Sequence, residues 1–325
     1  MLRIILKKYL LETWPLWLAC ALVLVFFPWV RIWTVSQFEL SGFEPLIEQL
    51  KAFEKFSPVP LSQFLTYEGM VGLTFAEPIL LLALLTYSIA RGSDVVSGEL
   101  GRGTMEMLLA QPISRIKLLL SHGSISVIGL AGLCFATWIG IAMGLNTNST
   151  LVVQPKAEIT IPGTTIAFGN PFEETTRVMT PLSELVAAEL YVAPTINLFS
   201  LGFFVFCLSV FMSSFDQYRW RTIGLVIGVY VAQLLLFILS KATPKTHFLM
   251  PFSFFGAYQP DWMVQCISQE KMPMFAIYRN RLNASGFFSN FEIGPLGYSL
   301  ILMGLGIALY VVAMIIFYRR DIPAP

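Results

Sequence analysis

Six long apolar stretches alternate with short charged ones along the 325 residues of the chain. About 20 helical residues cross a hydrocarbon layer of about 30 Å. On that measure the pattern predicts spans at 14–35, 70–90, 119–145, 191–213, 222–240 and 295–318. Ahead of the first span, Leu2, Ile5, Leu6, Tyr9 and Leu10 interleave with Arg3, Lys7 and Lys8. That is the pattern of a helix lying along a membrane surface over 1–11. Three longer connections, 36–69, 146–190 and 241–294, separate pairs of spans. In the first, Leu46, Leu50 and Phe53 stand at helical spacing against Glu48, Lys51 and Lys55, which predicts an amphipathic helix over 44–56. The second carries Ile159-Thr160-Ile161 and Thr165-Ile166-Ala167-Phe168 around Pro162-Gly163, a predicted hairpin. The third opens on the run from His247 to Tyr258, too apolar for a solvated loop and too short and proline-broken to span. A re-entrant or interfacial element fits it.

Composition narrows the class to an all-α polytopic membrane protein with six transmembrane helices and small extracytoplasmic elaborations. Hydrophobic residues are 56% of the chain, charged residues 13%, and the mean hydropathy is +0.70, far from a soluble domain of this length. If the N-terminus is cytoplasmic, the inner segments hold Arg3, Lys7, Lys8, Arg91, Arg102, Arg115, Lys117, Arg219, Arg221, Arg319 and Arg320. That is 11 of the 21 basic residues in a minor part of the chain outside the spans, so both termini are expected inside. Trp14, Trp17, Tyr218, Trp220 and Tyr318 form an inner aromatic belt, and Trp29, Trp33 and Tyr191 an outer one. The first span is not read as a cleaved leader: no small-x-small site follows it, and Arg31 with Trp33 closes it as an anchor. Of the four cysteines, Cys20, Cys134 and Cys207 fall inside spans, so no disulfide framework is expected.

The one charged segment with a specific pattern is the loop 91–118. Gly103 and Thr104 predict a helix start, the hydroxyl capping free backbone N–H groups. Met105, Leu108 and Leu109 then fall at i, i+3 and i+4 and make a compact apolar face. Pro112 stops this helix, and Ser114 caps the next one, which runs through Arg115 and Lys117 into the third span. Such a face needs cover: a protein partner, or lipid headgroups drawn to Arg102, Arg115 and Lys117.

The run Glu99, Gly103-Thr104-Met105-Glu106-Met107-Leu108-Leu109, Pro112-Ile113-Ser114-Arg115 resembles the loop after the second span in permeases of the ABC-2 type, the membrane subunits of ATP-driven transporters. It covers under a tenth of the chain. The resemblance implies one permease domain over 1–325 and a coupling helix that docks on a separate ABC ATP-binding subunit. It also implies a second permease chain, identical or related, and export across a bacterial inner membrane. Met105, Leu108 and Leu109 would be the packing face, oriented by ion pairs of Glu99, Glu106 and Arg115. An elbow helix before the first span and re-entrant helices after the fifth are further features that the family implies.

Other chemistry finds little support. No Gly-x-x-x-x-Gly-Lys-Ser/Thr loop is present, so any nucleotide is bound by another polypeptide. Two histidines, His122 and His247, without ligand spacing predict no metal, and no cofactor or nucleic acid partner is expected. Glu77, followed by Pro78, is the one clear carboxylate within a span. It reads either as a contact lining a central cavity or as a shallow group reaching water or pairing with Arg31. Gly140 with Gly144, Gly224 with Gly228, and Gly297, Gly304 and Gly306 set small residues where helices approach closely, within one chain or between two. The segment from Asp216 to Arg221 is a second possible partner contact, read here as a basic anchor at the inner face. The alternative to a permease is a non-transporting membrane scaffold whose extracytoplasmic segments bind a partner.

Overall fold

The computed structural model describes residues 2–38, 66–110, 114–153, 158–160, 167–169, 177–269, 271–282 and 288–320. The helix expected over 44–56, Pro112, and the Pro162-Gly163 turn lie outside these residues. Among the described residues, six helical segments are long and apolar enough to cross a membrane. The first is α1 (Leu2–Ser36), unbroken through Pro15 and Pro28. The surface helix expected over 1–11 is therefore the start of the span itself. At 1.5 Å per residue α1 is about 50 Å long, so its charged end stands clear of the hydrocarbon.

The second crossing is built in pieces. α2 (Tyr67–Gly72), capped by Thr66, gives way to a 3₁₀ turn (Leu73–Ala76), and extended Glu77 then admits α3 (Pro78–Ser93). Proline is suited to the first turn of a helix, where its missing N–H is not needed. α3 does not stop near residue 90 as the apolar pattern suggests. It passes through a π-helical turn (Asp94–Gly98) and a last α turn (Glu99–Gly101), with Arg91, Asp94 and Glu99 all buried. After a short α4 (Met105–Leu109) come α5 (Arg115–Thr147) and the one-turn α6 (Leu182–Leu185). Then follow α7 (Val192–Phe215), α8 (Arg219–Ala242), α9 (Pro260–Ser268) and α10 (Pro295–Arg319).

α7 is the hub, packing against α3, α5, α8, α9 and α10. Its Leu198, Leu201 and Val205 join Leu80, Leu84, Leu130 and Leu133 in the core. α1 lies along α5, and two glycines permit the approach: a Cβ on Gly140 would meet the Val25 carbonyl at 2.4 Å, and one on Gly144 would meet Ile32 at 2.7 Å. By contrast Gly224 and Gly228 on α8 and Gly304 on α10 have nothing within 4 Å. Most of α8 and α10 faces outward.

Outside the helices, strands form three antiparallel ribbons: β1 (Ser149–Val153) with β4 (Arg177–Pro181), β2 (Glu158–Thr160) with β3 (Ala167–Gly169), and β5 (Tyr278–Leu282) with β6 (Phe288–Ile293). In the second, Ile159 stands opposite Phe168, so the two runs read as a hairpin pair with each other. The chain after α8 folds back beside it as two 3₁₀ segments (Pro244–Phe252 and Phe254–Ala257). Ser253 Oγ donates to the Gln233 carbonyl at 2.9 Å, and Gln233 Oε1 accepts from the Phe254 N–H at 3.3 Å. Gln233 lies nine residues before the end of α8 at Ala242, so the segment dips about 14 Å along the helix axis. It folds back along α8 as the re-entrant reading expects, with protein groups meeting part of its irregular backbone.

Candidate coupling site at one end of the bundle

The extension of α3 ends in a defined way. The Thr104 N–H donates to the Glu99 carbonyl at 3.1 Å and the Gly103 N–H to that of Leu100 at 3.0 Å. Gly103 has φ +70°. This is a Schellman closure with glycine in the left-handed position. Gly103 thus terminates α3 rather than opening α4, a correction to the sequence reading. Thr104 is the N-cap of α4 but makes no side-chain cap there; its hydroxyl donates back to the Glu99 carboxylate and carbonyl.

Glu99 is the centre of this turn. Its buried carboxylate takes Lys8 Nζ from α1 at 2.8 Å and Arg102 at 3.3 Å. Asp94, on the π turn, receives Arg102 at 2.7 Å, Arg219 from α8 at 3.3 Å and Arg91 at 3.6 Å. Arg91 also donates to His122 Nε2 of α5 at 2.9 Å, and Tyr9 sets its ring edge-on to the imidazole. One charge network therefore joins α1, α3, α5 and α8. A hydroxyl cluster lies beside it: Ser213 Oγ of α7 accepts from the Ser97 N–H at 2.8 Å, and Thr222 of α8 donates to Ser97 Oγ at 3.1 Å. The π turn is thereby anchored to α7 and α8. Gly98 is required there, since a Cβ would sit 2.4 Å from Asp94 Oδ1.

α4 hangs from this network. Met105 is buried with Val95, Val96, Leu119, Phe206 and Phe317, and Leu108 is buried as well. The apolar face expected to await a partner is thus turned into the chain's own core, because the Gly103 turn folds α4 back under α3. Glu106 and Met107 face outward, Met107 at 72% exposure. The Leu109 side chain lies outside what is described. Ser114 caps α5, accepting from the Lys117 N–H at 3.4 Å, and Arg115 donates to the carbonyls of Arg320 at 2.6 Å and Phe317 at 3.3 Å. Its partners among the described residues are helix-end carbonyls, where the sequence reading placed an ion pair.

A family model described as ABC-2 family transporter protein matches residues 8–322. The chain belongs to the ABC-2 transporter family. No curated protein and no solved structure gives a significant match. An ABC-2 permease is a membrane transport component rather than a catalytic enzyme, and the family associates with an ABC ATP-binding subunit.

Two further features of this permease complete the account. Glu77 Oε1 accepts from Arg31 Nε at 3.2 Å, at the start of α3, and it does not line the groove beside the re-entrant segment. That groove, about 860 Å³, runs between α7, α8, α10 and the re-entrant segment, with walls such as Phe204, Leu208, Phe254, Leu305 and Val312. The sequence reading missed Lys8, Arg91, Asp94, His122 and Arg219 as one constellation. The signal available was Arg91 and Asp94 at i, i+3 just past an apolar run, the spacing of a continued helix. The basic anchor read at 216–221 contains Arg219, which the structure binds to Asp94.

Proposed function

We propose that this permease works as an exporter in which the α4 loop is the docking element for a separate ATP-binding subunit, with both chain termini on the side where that subunit sits. The observation that carries the reading is the mounting of α4: an exposed Glu106–Met107 tip held by Glu99 and Met105 to a buried charge network that reaches four spanning helices. A push on the tip is delivered to α1, α3, α5 and α8 together, as coupling between ATP hydrolysis and a change of access requires. The family membership supports the same assignment, and with it a second permease chain, outward transport and a bacterial inner membrane.

The test is co-purification with the ATP-binding subunit encoded nearest to this chain. Met107→Asp and Glu106→Lys alter the exposed tip without touching the core, so each is expected to release the subunit from a chain that still melts normally. Met105→Asp is the contrasting variant, expected to unfold the end of the bundle by burying a charge. Retention of the subunit by both tip variants would place docking elsewhere, and its absence from the wild type would remove the permease–ATPase pairing altogether.

A further inference from the structure

Helices α7 and α10 end at the same level as the α4 loop, and their last carbonyls have no partners within their own helices. Both ends are served by arginines from elsewhere. Arg115, the first residue of α5 and six residues beyond the end of α4, donates to the carbonyls of Phe317 and Arg320 at the end of α10. Arg320 in turn donates Nη1 to the carbonyls of Ser214 at 2.8 Å and Asp216 at 3.1 Å, at the end of α7. Buried Asp216 then accepts the Gln217 and Tyr218 N–H groups at 2.7 and 3.1 Å, which shapes the turn into α8, and pairs with Arg221 at 3.6 Å. The contacts form a chain from Arg115 to the end of α10 and from Arg320 to the α7–α8 turn, and α4 meets the same end of α10 through Met105, buried with Phe317.

We propose that Arg115 and Arg320 are positioning residues that make the α4 loop, the end of α10 and the α7–α8 turn move as one piece. The inference rests on the reading of α4 as the docking element and adds to it a route to α10, which the Lys8–Glu99–Asp94 network does not reach. Cationic groups at helix carboxyl ends are favourable on their own. What turns capping into a relay is that Arg320 is both receiver, through its carbonyl, and donor, through its guanidinium. A displacement of Arg115 therefore shifts the residue that holds the next turn.

The experiment is hydrogen exchange on the full chain in lipid nanodiscs. Arg115→Gln is expected to speed exchange by about fivefold, equivalent to about 1 kcal/mol of opening free energy, at the last turn of α10 and also at Gln217 and Tyr218, which Arg115 does not touch. Arg115→Lys, which keeps the cation at the carbonyls, is expected to return both sites most of the way to wild type. A change confined to α10 would overturn the relay. Arg320→Gln gives a second route if the first variant does not fold: by reciprocity it should loosen α4 as well as the turn, and an effect on the turn alone would overturn the relay equally. In the complex, a spin label on Gln217→Cys should report an ATP-dependent shift that Arg320→Gln abolishes while the ATP-binding subunit stays bound. If the wild type holds no such subunit, the docking reading fails, and the exchange data still decide the relay.

Discussion

Glu99 and Asp261 show how differently two carboxylates can be buried in one membrane protein. Glu99 is compensated by Lys8, Arg102 and the Thr104 hydroxyl. Removing one partner of such a buried pair leaves the others uncompensated, a loss of about 3–5 kcal/mol. Glu99→Gln is therefore expected to lower the melting temperature sharply. The loss from Lys8→Met and Glu99→Gln combined should be smaller than the sum of the two, since each removes the same interaction. Additive losses in thermal melts would mean that the pair is not coupled. Asp261, on α9 near the opposite end of the bundle, has less help: its Oδ1 is buried with no hydrogen-bond partner among the described residues. Burial pushes its carboxyl up to about 6, with Lys241 pulling the other way. The sign follows from linkage. Between pH 4 and 6 this carboxyl holds a proton in the folded chain that it has released in the unfolded one, so the contribution of Asp261 to stability is full below about pH 4 and is lost as pH rises through 6. Asp261→Asn should abolish that slope and stabilise the protein at pH 8 while changing little at pH 4. An unchanged melting profile from pH 4 to 8 would contradict it.

At the scale of elements, apolar length made the number of spans legible, and six helices long and apolar enough to cross a membrane stand among the described residues. Three features were not legible, each for a physical reason. The continuation of α3 past residue 90 is hidden because its buried face is charged, and Arg91, Asp94 and Glu99 become tolerable inside only once α1, α5 and α8 bring partners. Gly103-Thr104 reads equally as a helix start or a helix end, and only the hydrogen bonds to Glu99 and Leu100 decide for the end. Met105 and Leu108 signal burial correctly but not what buries them, since a helix face carries no label for its own chain or another. The glycine pairs illustrate the same point. Gly140 and Gly144 serve contact within the chain, with the α1 backbone pressed against Gly140 and the Ile32 side chain against Gly144. Gly140→Leu is expected to force α1 and α5 apart and cost several kcal/mol, seen as a lower melting temperature and as protease sensitivity of α1. A variant that melts like the wild type would show that this interface is slack.

For the whole molecule, the uneven covering of the spans is the fact to be explained. α7 is wrapped on nearly every side, whereas α8 meets the rest of the chain mainly through α7, α3 and the re-entrant segment. Its outer face carries Trp220, Leu225, Ile227, Val231 and Leu235, with Gly224 and Gly228 between them and nothing within 4 Å of either glycine. Lipid tolerates the apolar side chains, so exposure alone does not call for a partner. The paired glycines are different, because a four-residue spacing of small residues gains only when another backbone comes close enough to use it. In the two-permease assembly proposed above, this open pair on α8 is the face expected to meet the second chain. Gly224→Ile with Gly228→Ile is therefore expected to leave the stability of the single chain nearly unchanged, since a Cβ at either position meets no described atom within 4 Å. The same substitutions should shift the detergent-solubilised protein from dimer towards monomer in native mass spectrometry. A dimer that survives both would move the contact to another face, with α10 and its open Gly304 the next surface to substitute. A drop in single-chain stability would instead show that α8 is covered from within, and the unequal packing of the bundle would then need a different cause.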